Sequence, residues 1–317
     1  MARFLSALAL WCVFLGTLCV AMFLWGCTWV SDEGEEVTPL RVTVLDVGQG
    51  LAVLLEYNGR YGLYDSGSDS MGVGDSLRAR GVEELEWVLL SHNHRDHVGG
   101  FVELAEGRLN DGVSDADSEK SPVRIKHLFV GPDTAGGIWR DSVLYVAHKW
   151  GIPVDTLVRG DIVQLGPVGS SLSEEMPDIR VLWPPDYETV SENHGSLVLN
   201  VSWGEGSALL TGDLDSLGER ELLELSPTLS ADLLQVGHHG SAGSNALAFL
   251  AQVKPEYAVA SVGAGNRYGH PAESVVQKLK YVLGDSLRFF RTDRDGSVGF
   301  ELWQGLGAIP MDRSGLP

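Results

Sequence analysis

Ten consecutive residues, Ser91-His92-Asn93-His94-Arg95-Asp96-His97-Val98-Gly99-Gly100, follow directly on the apolar run Trp87-Val88-Leu89-Leu90. Four large apolar residues in a row have the length of a buried strand, so the ten residues are read as its exit loop. Three histidines and an aspartate fall within six positions there. Imidazole and carboxylate are the ligand set of zinc, manganese and iron sites. In an extended chain, residues two apart point the same way, which places His92 and His94 to grip one metal. The turn into a following helix would swing Asp96 and His97 toward a second. Seven of the chain's nine histidines occur in comparable settings, which separates this loop from a solvated polar stretch with incidental imidazoles.

At 317 residues the chain has room for one large domain plus an N-terminal extension. Its 44% hydrophobic and 21% charged content reads as globular. A formal net charge of −20 argues against a broadly basic, sequence-blind nucleic-acid binder. It does not exclude a nuclease whose metals neutralise phosphate locally. All three cysteines, Cys12, Cys19 and Cys27, lie in the N-terminal apolar segment, so the body has neither a disulfide nor a thiolate ligand. Residues 4–30 carry no charge and are long enough to span a bilayer. Arg3 precedes them and the acidic stretch Asp32-Glu33-Gly34-Glu35-Glu36 follows, which orients the body to the extracytoplasmic side of the cell membrane. Residues 1–30 are therefore read as a signal peptide or membrane anchor. Leu24-Trp25-Gly26-Cys27 resembles a lipoprotein signal, and an uncleaved signal anchor stands beside that reading. Residues 31–39 read as an acidic linker.

The body, residues 40–303, is rich in strands. Residues 41–47 and 52–57 are apolar runs joined by Gly48-Gln49-Gly50, and Asn58-Gly59 signals a hairpin into a strand at 60–64. Helices are expected at 74–81, 101–105, 138–150, 217–225, 246–253 and 274–282. Strands are expected at 125–130, 153–158, 179–183, 196–203, 207–210, 233–236 and 257–262, and two more flank Asp295-Gly296. Residues 107–122 read as a polar insertion, 160–178 as a loop, and 304–317 as a C-terminal tail. Strands in two halves punctuated by helices imply an α/β (α+β) architecture of two central mixed sheets with helices outside.

Other candidates sit at strand ends. Asp213, in Thr211-Gly212-Asp213, is placed to bridge two metals, or is a simple turn residue. In Gly237-His238-His239-Gly240-Ser241, neighbouring strand side chains face opposite ways, so one histidine is expected to be a ligand. His238 is preferred, with His239 and Ser241 positioning substrate or supporting a ligand. His194 either completes a nitrogen set with His92 and His94 or is a loop histidine. In Asn266-Arg267-Tyr268-Gly269-His270, His270 is a candidate proton donor or phosphate ligand, and Arg267 offers an anion contact. Asp65 is placed to accept the distal N–H of a ligand histidine. His127 and His148 read as structural.

Together these stretches resemble the metallo-β-lactamase superfamily, whose His-x-His-x-Asp-His hallmark stands here as His92-Asn93-His94-Arg95-Asp96-His97. More narrowly, the chain is similar to the metallo-hydrolase domain of competence-channel (ComEC-type) DNA-uptake proteins. Asp46-Val47-Gly48-Gln49-Gly50, Asp65-Ser66-Gly67, Thr211-Gly212-Asp213, His238-His239-Gly240-Ser241, Tyr268-Gly269-His270-Pro271 and Thr292-Asp293-Arg294-Asp295-Gly296 match in order. The resemblance implies an αββα sandwich with two divalent ions, zinc or manganese, at one edge. It implies a first ion on His92 and His94, with or without His194, and a second on Asp96, His97 and His238, with Asp213 between. It further implies hydrolysis of a phosphodiester, with DNA or a nucleotide as substrate. The channel itself is absent from this chain, many relatives carry Asp where His94 stands, and Leu51 stands where relatives often have Asp. A small ester, lactone or phosphoester is the alternative substrate, which the acidic body favours over a processive DNA track. A non-catalytic tethered binding module is the third reading. No protein partner is inferable.

Overall fold

The computed structural model describes residues 38–69, 71–107, 122–132, 137–166, 176–185, 191–284 and 288–312. The N-terminal segment 1–30 with its three cysteines, the linker through residue 37, most of the 107–122 insertion, much of the 160–178 loop and the last five residues lie outside them. Among the described residues no helix is long and apolar enough to cross a membrane.

The first sheet contains β1 (Leu40–Val44), β2 (Val53–Tyr57), β3 (Arg60–Tyr64), β5 (Trp87–Leu90), β7 (Leu128–Val130) and β8 (Val154–Thr156). A short parallel pair, β4 (Glu84–Leu85) and β6 (Arg124–Ile125), lies beside it. The second sheet runs in chain order from β9 (Ile162–Val163) through β10 (Asp178–Trp183), β11 (Val198–Trp203), β12 (Gly206–Leu210), β13 (Leu233–Gln235) and β14 (Tyr257–Ala260) to β15 (Arg288–Arg291). β16 (Val298–Trp303) then returns to the first sheet, pairing antiparallel with β1, and β17 (Gly307–Pro310) pairs with β16. The sheet therefore continues past residue 303, and the segment expected as a tail supplies an edge strand. β9 likewise places a short strand inside the expected 160–178 loop. Both sheets are mixed: β3, β5, β7 and β8 are parallel, as are β12 to β15.

The strands alternate between two cores because successive side chains face opposite sides of a sheet. Trp87 and Leu89 enter the core between the sheets, whereas Val88 and Leu90 enter the core under the first sheet's helices. On the second sheet Leu210 and Leu233 face inward, and Leu209 and Leu234 meet its helices. Strands buried on both faces read as continuous apolar runs, as these do. The covering helices of the first half are α1 (Val73–Ala79), α2 (Arg95–Val98), α3 (Gly100–Glu106) and α4 (Ile138–Lys149). Those of the second are α5 (Ser216–Leu225), α6 (Leu247–Val253) and α7 (Glu273–Leu283), and a last turn, α8 (Thr292–Asp295), precedes β16. The result is an αββα sandwich.

Two details fix the edge where the site forms. A Cβ on Gly100 would sit 2.1 Å from the Ser66 carbonyl oxygen, so the start of α3 lies against the loop after β3 only because residue 100 has no side chain. Between the sheets, the buried Tyr64 hydroxyl donates to the Leu197 carbonyl at 2.6 Å, and the Leu197 N–H donates to the Ser91 carbonyl at 2.9 Å. These bonds tie the exit of β5 to the entrance of β11.

Candidate metal centre

Every converging side chain comes from the carboxyl end of a strand, the edge at which open α/β sheets carry their chemistry. β3 delivers Asp65, β5 delivers the loop from Ser91 to His97, β12 delivers Asp213, and β13 delivers His238 and His239. His92, Ser91 and His97 are buried, as are Asp65, Asp213 and His239.

Asp213 occupies the middle. Its Oδ1 lies 3.1 Å from His97 Nε2 and 3.6 Å from His239 Nε2, and its Oδ2 lies 3.5 Å from His238 Nε2 and 3.9 Å from His92 Nε2. His239 Nε2 is 3.3 Å from Asp96 Oδ2 and 3.3 Å from His97 Nε2. Two groups of potential ligand atoms result: His92, His97 and Asp213, and Asp96, His97 and His239. His94 adjoins the first group, with its Nδ1 2.9 Å from His92 Nε2.

The distal nitrogens show which atoms face inward. Asp65, held at φ 60, accepts from the Ser91 N–H and hydroxyl at 2.7 Å each and from His97 Nδ1 at 2.7 Å. The Ser91 oxygen in turn lies 3.0 Å from His92 Nδ1. His239 Nδ1 donates to the Ser261 carbonyl at 2.8 Å. With each Nδ1 turned outward, these rings point Nε2 toward Asp213, as a lone pair when neutral and as an N–H when protonated. Lone pairs facing carboxylate oxygens need a cation or a proton between them. Asp213 Oδ1, a buried oxygen without a well-directed hydrogen bond, marks the same place. The donor set, nitrogen and oxygen without sulfur, fits a divalent zinc- or manganese-class ion.

Charge follows this geometry. Burial pushes the Asp213 carboxyl up, but the His97 and His239 imidazoles overrule it and hold it well below the carboxylate range. Burial drives His97 down, yet Asp213 and Asp65 pull it well above an ordinary histidine. His92 is pushed well down by burial and by His97. Burial likewise raises Asp96, and the bond to His239 more than reverses it.

The preference for His238 over His239 assumed a strand. The pair stands instead in a single turn after β13, with φ of 52 and 55, where strand alternation no longer governs direction. There His239 takes the buried place beside Asp96, and His238 stays partly exposed on the Asp213 Oδ2 side. His194 does not join either group: its Nε2 faces Glu221 of α5 at 3.3 Å and its ring packs on Trp183. Ser241 turns its hydroxyl to the Gly243 N–H at 3.3 Å. Asn266 clamps its own turn, accepting from the His270 N–H and donating to the His270 carbonyl. Tyr268 and His270 stack at 5.6 Å, and Arg267 lies over the Tyr268 ring. A cavity of about 570 Å³ opens over the cluster, lined by Asp96, Asp213, His238, His239, Tyr268 and His270 among others.

Four residues with no assigned role hold the site. Gln235 Oε1 accepts from the Thr211 and Gly212 N–H groups at 2.7 and 2.9 Å, fixing the turn that presents Asp213. Asn245 brackets Gly237 with two hydrogen bonds, and Glu219 accepts from the Asn245 and Ala246 N–H groups. Ser91, inside the motif, bridges Asp65 and His92. A polar Gln235 at the end of an apolar strand was the one signal available in advance. Leu51, the residue after Gly48-Gln49-Gly50, is buried, and its N–H donates to the Asp96 carbonyl at 3.0 Å.

The sequence profile of the Metallo-beta-lactamase superfamily matches residues 45–264. The chain belongs to this superfamily. ComE operon protein 3 of Bacillus subtilis (strain 168) is 29% identical over 95% of this chain and 38% of its own length. Competence protein ComA of Neisseria gonorrhoeae is 32% identical over 83% of this chain and 32% of its own. The chain thus spans about a third of the length of these curated relatives. Among solved structures, CmlA, a diiron beta-hydroxylase from Streptomyces venezuelae, shares the fold with a TM-score of 0.52 at 14% identity, covering 84% of this chain and 54% of that one. Metallo-beta-lactamase membership and the His/Asp groups together support a metal-dependent hydrolase.

Proposed function

We propose that the domain is a dinuclear hydrolase of phosphodiester bonds, in DNA or a nucleotide. One observation carries the two-ion reading: Asp213 turns one carboxylate oxygen toward His97 and His239 and the other toward His92 and His238. His92 and His94 with Asp213 would hold one ion; Asp96, His97 and His239 with Asp213 would hold the other, with His238 beside the shared carboxylate. Bound there, such ions supply positive charge against a developing oxyanion and make water acidic enough to ionise at neutral pH.

The chain's own residues do the rest. Asp65 and the Ser261 carbonyl lock the His97 and His239 rings, so the inward nitrogens need no reorganisation. Burial, then the neighbouring His239 and His238, hold His270 below an ordinary histidine. A neutral His270 at pH 7 is suited to donating an N–H to a phosphate oxygen rather than to carrying a full proton to a leaving group. Its Nδ1 is buried and makes no hydrogen bond among the described residues.

The phosphodiester assignment takes its support from the competence-type relatives. The acidic body favours the second reading, a small ester, lactone or phosphoester. In the same way, the charge pattern around residues 4–30 supports an exported, membrane-tethered domain. The test is metal content together with cleavage of labelled single- and double-stranded DNA and bis-p-nitrophenyl phosphate, in Mn²⁺ or Zn²⁺, with His92→Ala and Asp96→Ala controls. Cleavage that both variants abolish is expected. A protein that binds no transition metal and cleaves nothing refutes the reading, and hydrolysis of small esters alone selects the second.

A further inference from the structure

Residues 191–196 cross from the second half of the molecule to the histidine loop of the first. The Gly195 N–H returns to the Ser191 and Glu192 carbonyls, and the Ser196 N–H to that of Asn193, which makes the segment a tight turn. It is anchored at several points. Trp183 Nε1 donates to the His194 carbonyl, the Ser196 hydroxyl accepts from the Asp213 N–H at 3.2 Å, and the Leu197 N–H reaches the Ser91 carbonyl. Glu192 stands at the tip. Its Oε2 is 3.2 Å from His94 Nε2, and the other nitrogen of that ring, Nδ1, lies 2.9 Å from His92 Nε2.

We propose that Glu192 is the positioning carboxylate of His94, fixing that ring as a ligand of the ion held with His92. The inference rests on the metal-centre reading above and adds to it a residue from the opposite half of the fold. A Glu192 carboxylate on Nε2 takes the ring's proton to the outside and leaves the lone pair on Nδ1, facing the His92 nitrogen. His92, His97 and His239 are all oriented by a partner on the outward nitrogen, through Ser91, Asp65 and the Ser261 carbonyl respectively. His94 is the most exposed member of the set, its side chain 44% accessible, and among the described ring contacts only the edge of His92 meets its ring, at 4.5 Å. An outward carboxylate orients such a ring, since partners of this kind commonly decide metal affinity by 10–100-fold. An ordinary exposed ion pair of this kind would contribute little to folding, so metal affinity and stability separate the two roles.

The experiment titrates the metal-stripped full chain with Zn²⁺ against a chromophoric chelator, and with Co²⁺ while following its visible absorption. Glu192→Gln is expected to weaken one of two ions at least about tenfold, to shift the corresponding Co²⁺ band, and to leave the other ion and the melting temperature of the metal-free protein unchanged. Glu192→Asp should recover part of the loss, and in a His94→Ala background Glu192→Gln should have no further effect. Wild-type affinity for both ions in Glu192→Gln, or a loss that persists without His94, overturns the proposal while leaving the metal centre standing. A wild-type chain that binds neither Zn²⁺ nor Co²⁺ overturns both.

Discussion

Glu219 offers the sharpest test of how the site's scaffold is held. It lies on α5 with 2% of its surface exposed, and its two oxygens accept from the N–H groups of Asn245 and Ala246. Burial pushes its pKa from 4.5 to about 7, against the pull of those two N–H groups and of Lys278. Between pH 4.5 and 7 the unfolded chain has released this proton and the native protein has kept it, so stability falls as pH rises through that window. At about 1.4 kcal/mol per unit, the full shift is worth on the order of 3 kcal/mol. Glu219→Gln removes the titration but turns an amide NH₂ toward one of the two backbone donors, which costs about 1–3 kcal/mol at every pH. Urea unfolding of both proteins from pH 5 to 9 should therefore show the variant less stable at pH 5. The gap should close by about 3 kcal/mol, or reverse, by pH 9. Subtracting the two curves cancels the histidines and the remaining carboxylates. A difference constant to within about 1 kcal/mol across that range would show that Glu219 is ionised throughout, and the argument from burial would fail.

Gln235→Met keeps the volume and strips the acceptor from two buried N–H groups, at about 1–3 kcal/mol each. Urea unfolding should show a loss of about 2–6 kcal/mol, and Gln235→Glu, which keeps an acceptor, should lose less at low pH. Gly212→Ala places a Cβ 2.9 Å from both the Ser91 hydroxyl and the Tyr64 hydroxyl oxygen, at a φ of +53. It should lower the melting temperature by the equivalent of about 1–3 kcal/mol and reduce metal uptake through displacement of Asp213. Asp65→Asn exchanges the carboxylate on His97 for an amide, and Zn²⁺ titration should show affinity reduced about 10–100-fold. Unchanged affinity there would mean that His97 is oriented by packing alone.

The sandwich was legible because its strands carry their own signature. Runs such as Trp87–Leu90 and Leu233–Gln235 are apolar on both faces, and such strands belong in the middle of layers. The edges were less legible. Gly307–Pro310 contains only one large or branched apolar residue, Ile309, and joins the sheet by pairing with Val298–Trp303, a partner that local pattern does not name. At the site, ligand types and strand-end positions were readable because metal chemistry restricts both. The choice between His238 and His239 was not, because it depends on two successive left-handed residues in a turn. His194 was open for a related reason: only the packing of Trp183 and Glu221 around its ring shows that it faces α5. Groups that act by holding a backbone carry little signature in the sequence: Gln235 stands out only as a polar residue ending an apolar strand, and Asn245 does not stand out at all.

Those holding groups explain how a cleft of buried charge is sustained in a chain as acidic as this one. Asp65, Asp213 and Glu219 are all nearly or fully buried carboxylates. Each would cost several kcal/mol if left without partners. Asp65 is met by Ser91 and His97, and Glu219 by two backbone N–H groups. Asp213 is different: its backbone is held by Ser196 and by the Gln235-braced turn, while Oδ1 has imidazole nitrogens as neighbours but no well-directed hydrogen bond. The scaffold thus satisfies its structural carboxylates internally and leaves the central one to be satisfied by what the site binds. A divalent ion bound at Asp213 should consequently stabilise the fold as well as complete the site, in proportion to the logarithm of its concentration over its Kd. Chelation should lower the melting temperature of the wild type and leave that of Asp213→Asn nearly unchanged. Equal effects of chelator on the two proteins would place the ion elsewhere.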